Sequence, residues 1–319
     1  MVRNTFSRFL IVGGSGFIGS HFVKVLIDQG QEVIVFDNLS SGNIEFINDI
    51  KNSRLEIIVD DIENWKEYKQ KLENIDVIIH LASNADIAAA IEDPTIDFYN
   101  GTLLTQCVAE LARILKVENV LYASGSGVYG DYGNMSLREG AHELLPISPY
   151  GASKLAGEAI LCSYSYLFNI KTFCFRFANV VGSNQTHGVG LDFLKSLKRD
   201  SHSLKILGDG KQSKSYIHVS EIVDAVLFVL YNETSTFSVF NVSTLDRISV
   251  YEIADLAFQI AKITPTDAKI SYTGGARGWA GDVPLVNLNA DKLKDLGWEP
   301  KYDSRQSMLM ALSSIWEQI

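Results

Sequence analysis

The chain has 319 residues, enough for one large or two modest domains with an ample core. Its 28 basic against 38 acidic residues give a net charge of −10, which argues against nucleic acid or an anionic membrane as the main partner. Cys107, Cys162 and Cys174 lie among apolar neighbours without metal-ligand spacing, and no metal site is expected; no apolar run suits a signal peptide or reaches the roughly 18 residues of a membrane span, so a reduced, cytoplasmic protein is expected.

Phe9-Leu10-Ile11-Val12 predicts a short buried strand, and Ser20–Gln29 a helix with Phe22, Val23, Leu26 and Ile27 on one face and Gly30 as its left-handed stop. Between them lies Gly13-Gly14-Ser15-Gly16-Phe17-Ile18-Gly19. Gly13 permits a tight turn, Gly16 lets backbone approach a pyrophosphate, and Gly19 lets the helix pack closely on the strand. The helix N-terminus, entered through Phe17 and Ile18, offers free N–H groups to the phosphates. Gln31–Phe36 predicts a second strand with Asp37 at its end, 18 residues after Gly19. An acid there accepts from both ribose hydroxyls and repels a 2′-phosphate, so NAD is the expected cofactor rather than NADP.

Asn38-Leu39-Ser40-Ser41-Gly42-Asn43 then makes a polar loop at the adenosine end. Leu55–Val59 predicts a third strand ending at Asp60-Asp61-Ile62, and Asp76–Leu81 a fourth running into Ala82-Ser83-Asn84-Ala85-Asp86. A helix is expected over Phe98–Leu115 with Asn100 near its start, a fifth strand over Val120–Ala123, a long helix from Tyr150 to about Phe168, and a sixth strand over Lys171–Phe177. This alternation predicts an α/β fold with a doubly wound parallel sheet. The pattern changes at Ala178-Asn179. Residues 1–177 are expected to form the dinucleotide domain, joined by later segments near 214–245, and residues 178–319 a smaller substrate-binding region.

In that second part Gly182–Gly190 reads as a loop, Leu191–Lys198 as a helix, and Gly208-Asp209-Gly210 as a turn. Ile222–Tyr231 predicts an apolar helix, and Val239–Val242 a strand returning to the main sheet. Ser249 with Glu252 forms a capping box opening a helix to about Ala261, and a closing helix is expected from about Ser304.

Tyr150 and Lys154 are four apart at a helix start and project from one face. A cationic Lys beside a phenol favours phenolate, so Tyr150 is expected to titrate below its usual value of about 10 and to act as acid/base beside a nicotinamide. Lys154 is also free to bind the nicotinamide ribose. His80 and His218 lie in apolar segments and are expected in core or hydrogen-bonding roles; His187 is a weaker contact candidate in a polar loop.

Together these segments resemble the extended short-chain dehydrogenase/reductase family (a Rossmann fold), and most closely its UDP-glucose 4-epimerase-like nucleotide-sugar epimerases. The likeness runs from Phe9 to about Trp298 through the glycine motif, Asp37-Asn38-Leu39, Asp61-Ile62, His80-Leu81-Ala82, Asn100, Tyr150-x-x-x-Lys154, Arg176-Phe177-Ala178-Asn179 and Gly281-Asp282-Val283-Pro284. The resemblance implies NAD-dependent epimerisation at C4 of a UDP-sugar in a cytoplasmic homodimer. The alternatives are a 4,6-dehydratase, a decarboxylase, a 4-ketoreductase or a non-catalytic nucleotide-sugar-binding protein. It implies that Asp61 and Ile62 hold adenine, that Leu81, Ala82, Ser83, Asn84, Asn100 and Ala178 line the cofactor, and that Asn179, Gly188, Val189, Lys214 and Arg277 contact the sugar nucleotide. Lys214 stands where many members carry Arg, and Ser215 where they carry Asp. Gly125 stands where the family carries the Ser or Thr that relays the substrate proton, leaving Ser126, Ser124 or Tyr150 acting directly. Gly127 stands where related dehydratases and decarboxylases carry Glu. Val286 stands where glucose-restricted members carry Tyr, which implies room for an N-acetyl group. The pairing helices of the dimer would be those near Phe98–Leu115 and Ser153–Phe168, with Leu103, Leu104, Val108, Leu111, Ala156, Ile160, Ser163 and Tyr164 as candidate apolar faces or as cover for their own sheet.

Overall fold

A computed structural model describes residues 6–275, 283 and 285–319. The first half runs β1 (Arg8–Val12), α1 (Phe17–Asp28), β2 (Glu32–Asp37), α2 (Glu45–Asn48), β3 (Leu55–Val59) and β4 (Val77–His80). A six-residue π turn, Phe98–Leu103, then opens α3 (Leu104–Leu115), followed by β5 (Asn119–Gly125), α4 (Pro149–Phe168) and β6 (Lys171–Phe177). Next come β7 (Asn179–Val181), α5 (Val189–Arg199), β8 (Ser203–Ile206), β9 (Ser213–Lys214), β10 (Tyr216–His218), α6 (Val219–Asn232) and β11 (Phe237–Val242). The chain closes with β12 (Ile248–Ser249), α7 (Val250–Ala261), β13 (Lys269–Tyr272), α8 (Asp291–Leu296) and α9 (Ser304–Gln318).

These elements fall into two compact units. One holds the chain up to Val128 with Ser148–Arg176 and Val223–Phe240; the other holds Tyr129–Ile147, Phe177–Ile222 and the chain from Asn241 onward. A seven-stranded sheet runs in the order β11-β6-β5-β4-β1-β2-β3. Strand β1 is central, pairing in parallel with β2 and β4, and Phe9, Leu10 and Ile11 are fully buried, as a strand covered on both faces requires. The expected returning strand is β11 beside β6. The N–H groups of Thr172 and Ala178 donate to Thr236 and Val242 carbonyls (both 2.9 Å) at one constant offset, so these two strands are also parallel.

In the first unit, Leu10, Val12, Ile34, Phe36 and Ile78 of the sheet pack with Val108, Leu111 and Ala112 of α3 and Leu161 of α4. Leu104, Val108 and Leu111 are therefore cover for their own sheet, not an outward face; the exposed large apolar residues here are Phe98, Tyr99, Ile114, Tyr166, Leu167 and Phe168. The second unit has its own core, in which Leu191 and Leu194 of α5, Ile253 and Phe258 of α7, and Met308, Leu312 and Ile315 of α9 meet.

Two helices depart from expectation. Helix α1 opens at Phe17 because Gly16 takes the extended N-cap conformation (φ −78°, ψ 177°). The helix expected from Phe98 starts as a π turn, the wider winding often found at functional positions. There Gly101 faces α4 so closely that a Cβ would lie 2.8 Å from Ser153 Oγ. The capping box is as expected: Ser249 Oγ accepts from the Glu252 N–H (3.2 Å) and Glu252 Oε2 accepts from the Ser249 N–H (2.7 Å). Among the described residues no helix is long and apolar enough to cross a membrane.

Candidate active site

The glycine turn is built for backbone contact. Gly13 has φ +86°, and a Cβ there would meet Ala82 N at 2.7 Å, so the turn sits directly on the loop after β4. At Gly19 a Cβ would fall 2.2 Å from the Gly13 carbonyl oxygen, which fixes how closely α1 approaches β1. At Gly16 the nearest obstacle is a single backbone atom at 3.3 Å, so this stretch remains open to approach. Helix α1 has no side-chain cap and no acid in its first turn, leaving its N–H groups and positive dipole end for an anion. Phe17 and Ile18 of that turn are half-buried.

Asp37 is buried at the end of β2. Its Oδ2 accepts from the Ser15 N–H and its Oδ1 from the Leu39 N–H (2.8 Å each). The carboxylate is thus fixed by the loops it separates and keeps further lone pairs for hydroxyl donors. Leu39 holds a positive φ of +57°, Ser40 and Ser41 are exposed, and Gly42 closes over the Asp37 carboxylate. Asn38 Nδ2 donates to Asp61 Oδ2 (3.1 Å), whose Oδ1 accepts from the Glu63 N–H (3.1 Å); Ile62 is buried beside it. Leu81, Ala82, Ser83 and Asn84 are half-buried along the loop after β4, and Asn100 is exposed on the π turn. An uncapped helix end, an unobstructed glycine and a preset buried carboxylate are together a donor and acceptor set that fits a dinucleotide; the Ser15 hydroxyl, buried without a partner, lies in the same turn.

The Tyr150/Lys154 pair stands at the start of α4, whose N-cap Ser148 accepts from the Gly151 N–H (3.1 Å). Lys154 is 3% exposed; its Nζ donates to the Ala123 carbonyl of β5 (2.8 Å) and lies 5.3 Å from the Tyr122 ring centroid and 5.5 Å from that of Tyr150. The expected fall in the Tyr150 pKa is not what this geometry gives. Burial pushes the phenol up to about 12, against a weaker pull from the Ser83 hydroxyl, and burial also brings Lys154 down to about 8. The ammonium turns to the Ala123 carbonyl, and desolvation, which penalises both charged forms, is the larger effect.

Three hydroxyl candidates meet different fates. Ser124 is buried and donates to Glu158 Oε1 (2.5 Å), and Glu158 is held in turn by a buried bidentate pair with Arg176, at 2.9 Å from Nε and 2.7 Å from Nη2. Ser126, in the 3₁₀ turn after β5, is half-buried, and its hydroxyl makes no hydrogen bond to the described residues. At Gly125 a Cβ would meet nothing within 4 Å. His80 takes the expected core role: Thr105 Oγ1 donates to the Gly101 carbonyl (2.9 Å), so it accepts from His80 Nε2 (3.0 Å), leaving Nδ1 bare.

In the second unit, Ala178 is buried and its N–H donates to Val242 O. Asn179 Nδ2 donates to the Ser215 carbonyl (3.2 Å), next to Lys214 in β9. Ser213 of β9 bridges to Leu285, the neighbour of half-buried Val286. Lys214 thus lies in sequence between Ser215, which Asn179 bonds, and Ser213, which pairs with the neighbour of Val286. The Ser215 hydroxyl is engaged by the Asp246 carbonyl (2.7 Å). Gly188, at φ +120°, is the N-cap of α5, with Val189 as its first residue. Arg277 lies outside the described residues, as do Gly281 and Asp282. Sequence reasoning missed the Glu158–Arg176 clamp on Ser124, whose members come from three separate elements, and buried Asp97 at the π turn, which lies in no spaced motif.

Residues 9–243 match the NAD dependent epimerase/dehydratase family. A putative UDP-glucose 4-epimerase of Methanocaldococcus jannaschii is 30% identical over 94% of this chain and 95% of its own. The crystal structure of a UDP-galactose 4-epimerase is similar at 32% identity and a TM-score of 0.86, covering 98% of this chain and 99% of that one. So is the UDP-N-acetylglucosamine 4-epimerase from Methanobrevibacter ruminantium, in complex with UDP-N-acetylmuramic acid, at 26% identity and 0.87, covering 99% and 100%.

Proposed function

The chain belongs to the NAD dependent epimerase/dehydratase family, and from that membership we propose that it epimerises C4 of a UDP-sugar through a transient 4-keto sugar. The observation that carries the reading is the Tyr150/Lys154 pair packed on β5 in the same unit as the open glycine turn and Asp37. Gly13, Gly16, Gly19 and the first turn of α1 hold the NAD pyrophosphate, Asp37 the adenosine ribose, and Asp61 with Ile62 the adenine. The chemistry that NAD supplies when bound is reversible hydride acceptance at C4. Tyr150 takes the 4-hydroxyl proton in its ionised form and gives it back; burial opposes that ionisation, holding the phenol up at about 12. Lys154 supplies the positive charge that the forward step needs. Of the relay candidates Ser126 is favoured, since the Ser124 proton is committed to Glu158.

Asn179, Gly188, Val189, Lys214 and Arg277 take the nucleotide diphosphate, and Val286 faces the sugar C2 substituent, so UDP-GlcNAc/GalNAc is accepted alongside or in place of UDP-Glc/Gal. The protein is cytoplasmic, where Cys107, Cys162 and Cys174 stay reduced. It is a homodimer through α3 and α4, supported by exposed Phe98, Tyr99, Tyr166 and Leu167; a monomer by light scattering contradicts this.

The test is a UDP-sugar panel with product separation and NADH followed. A C4 epimer without net NADH change supports the reading; loss of water or CO2, or binding without turnover, selects a rival. Val286→Tyr is expected to suppress N-acetyl turnover selectively, by about 1–3 kcal/mol of discrimination. Equal loss of both substrates removes Val286 as the gate.

A further inference from the structure

Asp97 has an unusual setting. It occupies the N-cap position of the π turn, where an Asp commonly accepts from the turn's own N–H groups, yet its side chain makes no such bond. Instead Oδ1 accepts from Asn84 Nδ2 (3.0 Å), while Oδ2 is buried with no hydrogen-bond partner, and the residue is 1% exposed. A buried carboxylate with one orphaned oxygen needs compensation elsewhere. Four residues on, Gly101 of the same turn touches Ser153 of α4, whose hydroxyl donates to the Tyr150 carbonyl (2.9 Å). The turn thus lays Asp97 beside the first turns of α4. There Lys154 has the complementary problem, being a buried ammonium bonded to one neutral carbonyl and in no ion pair among the described residues.

We propose that Asp97 is a positioning residue for the Tyr150/Lys154 pair, a buried carboxylate placed by the π turn to balance the Lys154 charge across the site without contacting it. The assignment of its catalytic consequence rests on the epimerase reading above; the electrostatic coupling itself does not. Among the described residues the groups around Lys154 leave Asp97 as the one unpaired counter-charge: Glu158, one turn along α4, is paired with Arg176, His80 is neutral, held near 3 by burial and by Lys154 itself, Tyr122 and resting Tyr150 keep their protons, and Ala123 offers a carbonyl. Asp97 raises the Lys154 proton affinity against the loss from burial, and Lys154 and Asn84 in turn favour the ionised Asp97 that burial opposes.

The test observes protons directly. In protein labelled at the lysine ε-carbons, with Lys154 assigned by Lys154→Arg, the wild-type midpoint is expected near pH 8. Asp97→Asn is expected to lower it by about one unit, a tenfold loss of proton affinity, and Asp97→Glu to restore it. An unchanged midpoint in folded Asp97→Asn overturns the proposal. Should that variant not fold, wild-type protein labelled at aspartate carboxyl carbons decides. Asp97, assigned by Asp97→Glu, must be ionised at neutral pH and show an inflection at the Lys154 midpoint; a protonated Asp97 or a flat trace overturns the proposal. The alkaline limb of kcat/KM for UDP-galactose is expected to follow the Lys154 midpoint. A midpoint that moves in protein without epimerase turnover supports the Asp97 coupling and refutes the reaction assigned to the site.

Discussion

At the scale of single residues, Tyr150 carries the sharpest expectation. Tyr150→Phe removes one hydroxyl and leaves the glycine turn and Asp37 untouched, so turnover is expected to fall by about 10²–10⁴-fold with NAD binding retained. Activity within a few-fold of wild type sinks the assignment. His80 gives a pH dependence of stability. Burial lowers its pKa to about 3, whereas an unfolded His titrates near 6.5. Between these values the unfolded chain binds the extra proton, so stability is expected to fall as pH drops through that window, by at most about 1.4 kcal/mol per pH unit. Urea unfolding of wild type and His80→Gln checks this: the variant's stability is expected to depend less steeply on acid. Parallel slopes show that His80 titrates normally. The phenol of Tyr150 shows where residue-level reading stops. Spacing correctly put Tyr150 and Lys154 on one helix face, but it says nothing of desolvation or of the Ala123 carbonyl that takes the ammonium.

At the scale of elements, most of the framework was legible. The run Phe9–Val12 became a central strand, β3 and β6 fall where their apolar runs predict, and the Ser249/Glu252 box opens α7. These features are local, set by periodicity and by side chains that bond their own backbone. The π turn is not local. It depends on Gly101 meeting Ser153 from a distant part of the chain, as the capture of Ser124 depends on Glu158 and Arg176. Packing of α4 on β5 is similarly tight, since a Cβ at Gly157 would lie 2.3 Å from the hydroxyl oxygen of fully buried Tyr122. Gly157→Ala is therefore expected to destabilise by about 1–3 kcal/mol despite alanine's better helix propensity. A lower denaturation midpoint at unchanged m-value checks this; a higher midpoint means that Tyr122 has room to move.

At the scale of the whole molecule, a cofactor that binds only the folded chain must stabilise it. NAD at about 100 times its Kd is expected to add roughly 2.7 kcal/mol, seen as a higher melting temperature. Asp37→Ala is expected to shrink that increment and to bring NAD and NADP closer together, while also freeing the Ser15 and Leu39 N–H groups. An unchanged NAD increment and preference removes Asp37 from the ribose site. The sheet order has a consequence for synthesis as well. Strands β1 to β5 leave the ribosome in one continuous stretch, but their neighbours β6 and β11 follow only after long excursions, the last ending at Val242. Until Phe177 is made the nascent chain carries β5 as an unpaired edge, and from there to Val242 the unpaired edge is β6, in each case a sticky template of the kind that chaperones shield. Translation speed between residues 126 and 242 should therefore govern how much newly made chain reaches the native state rather than aggregates.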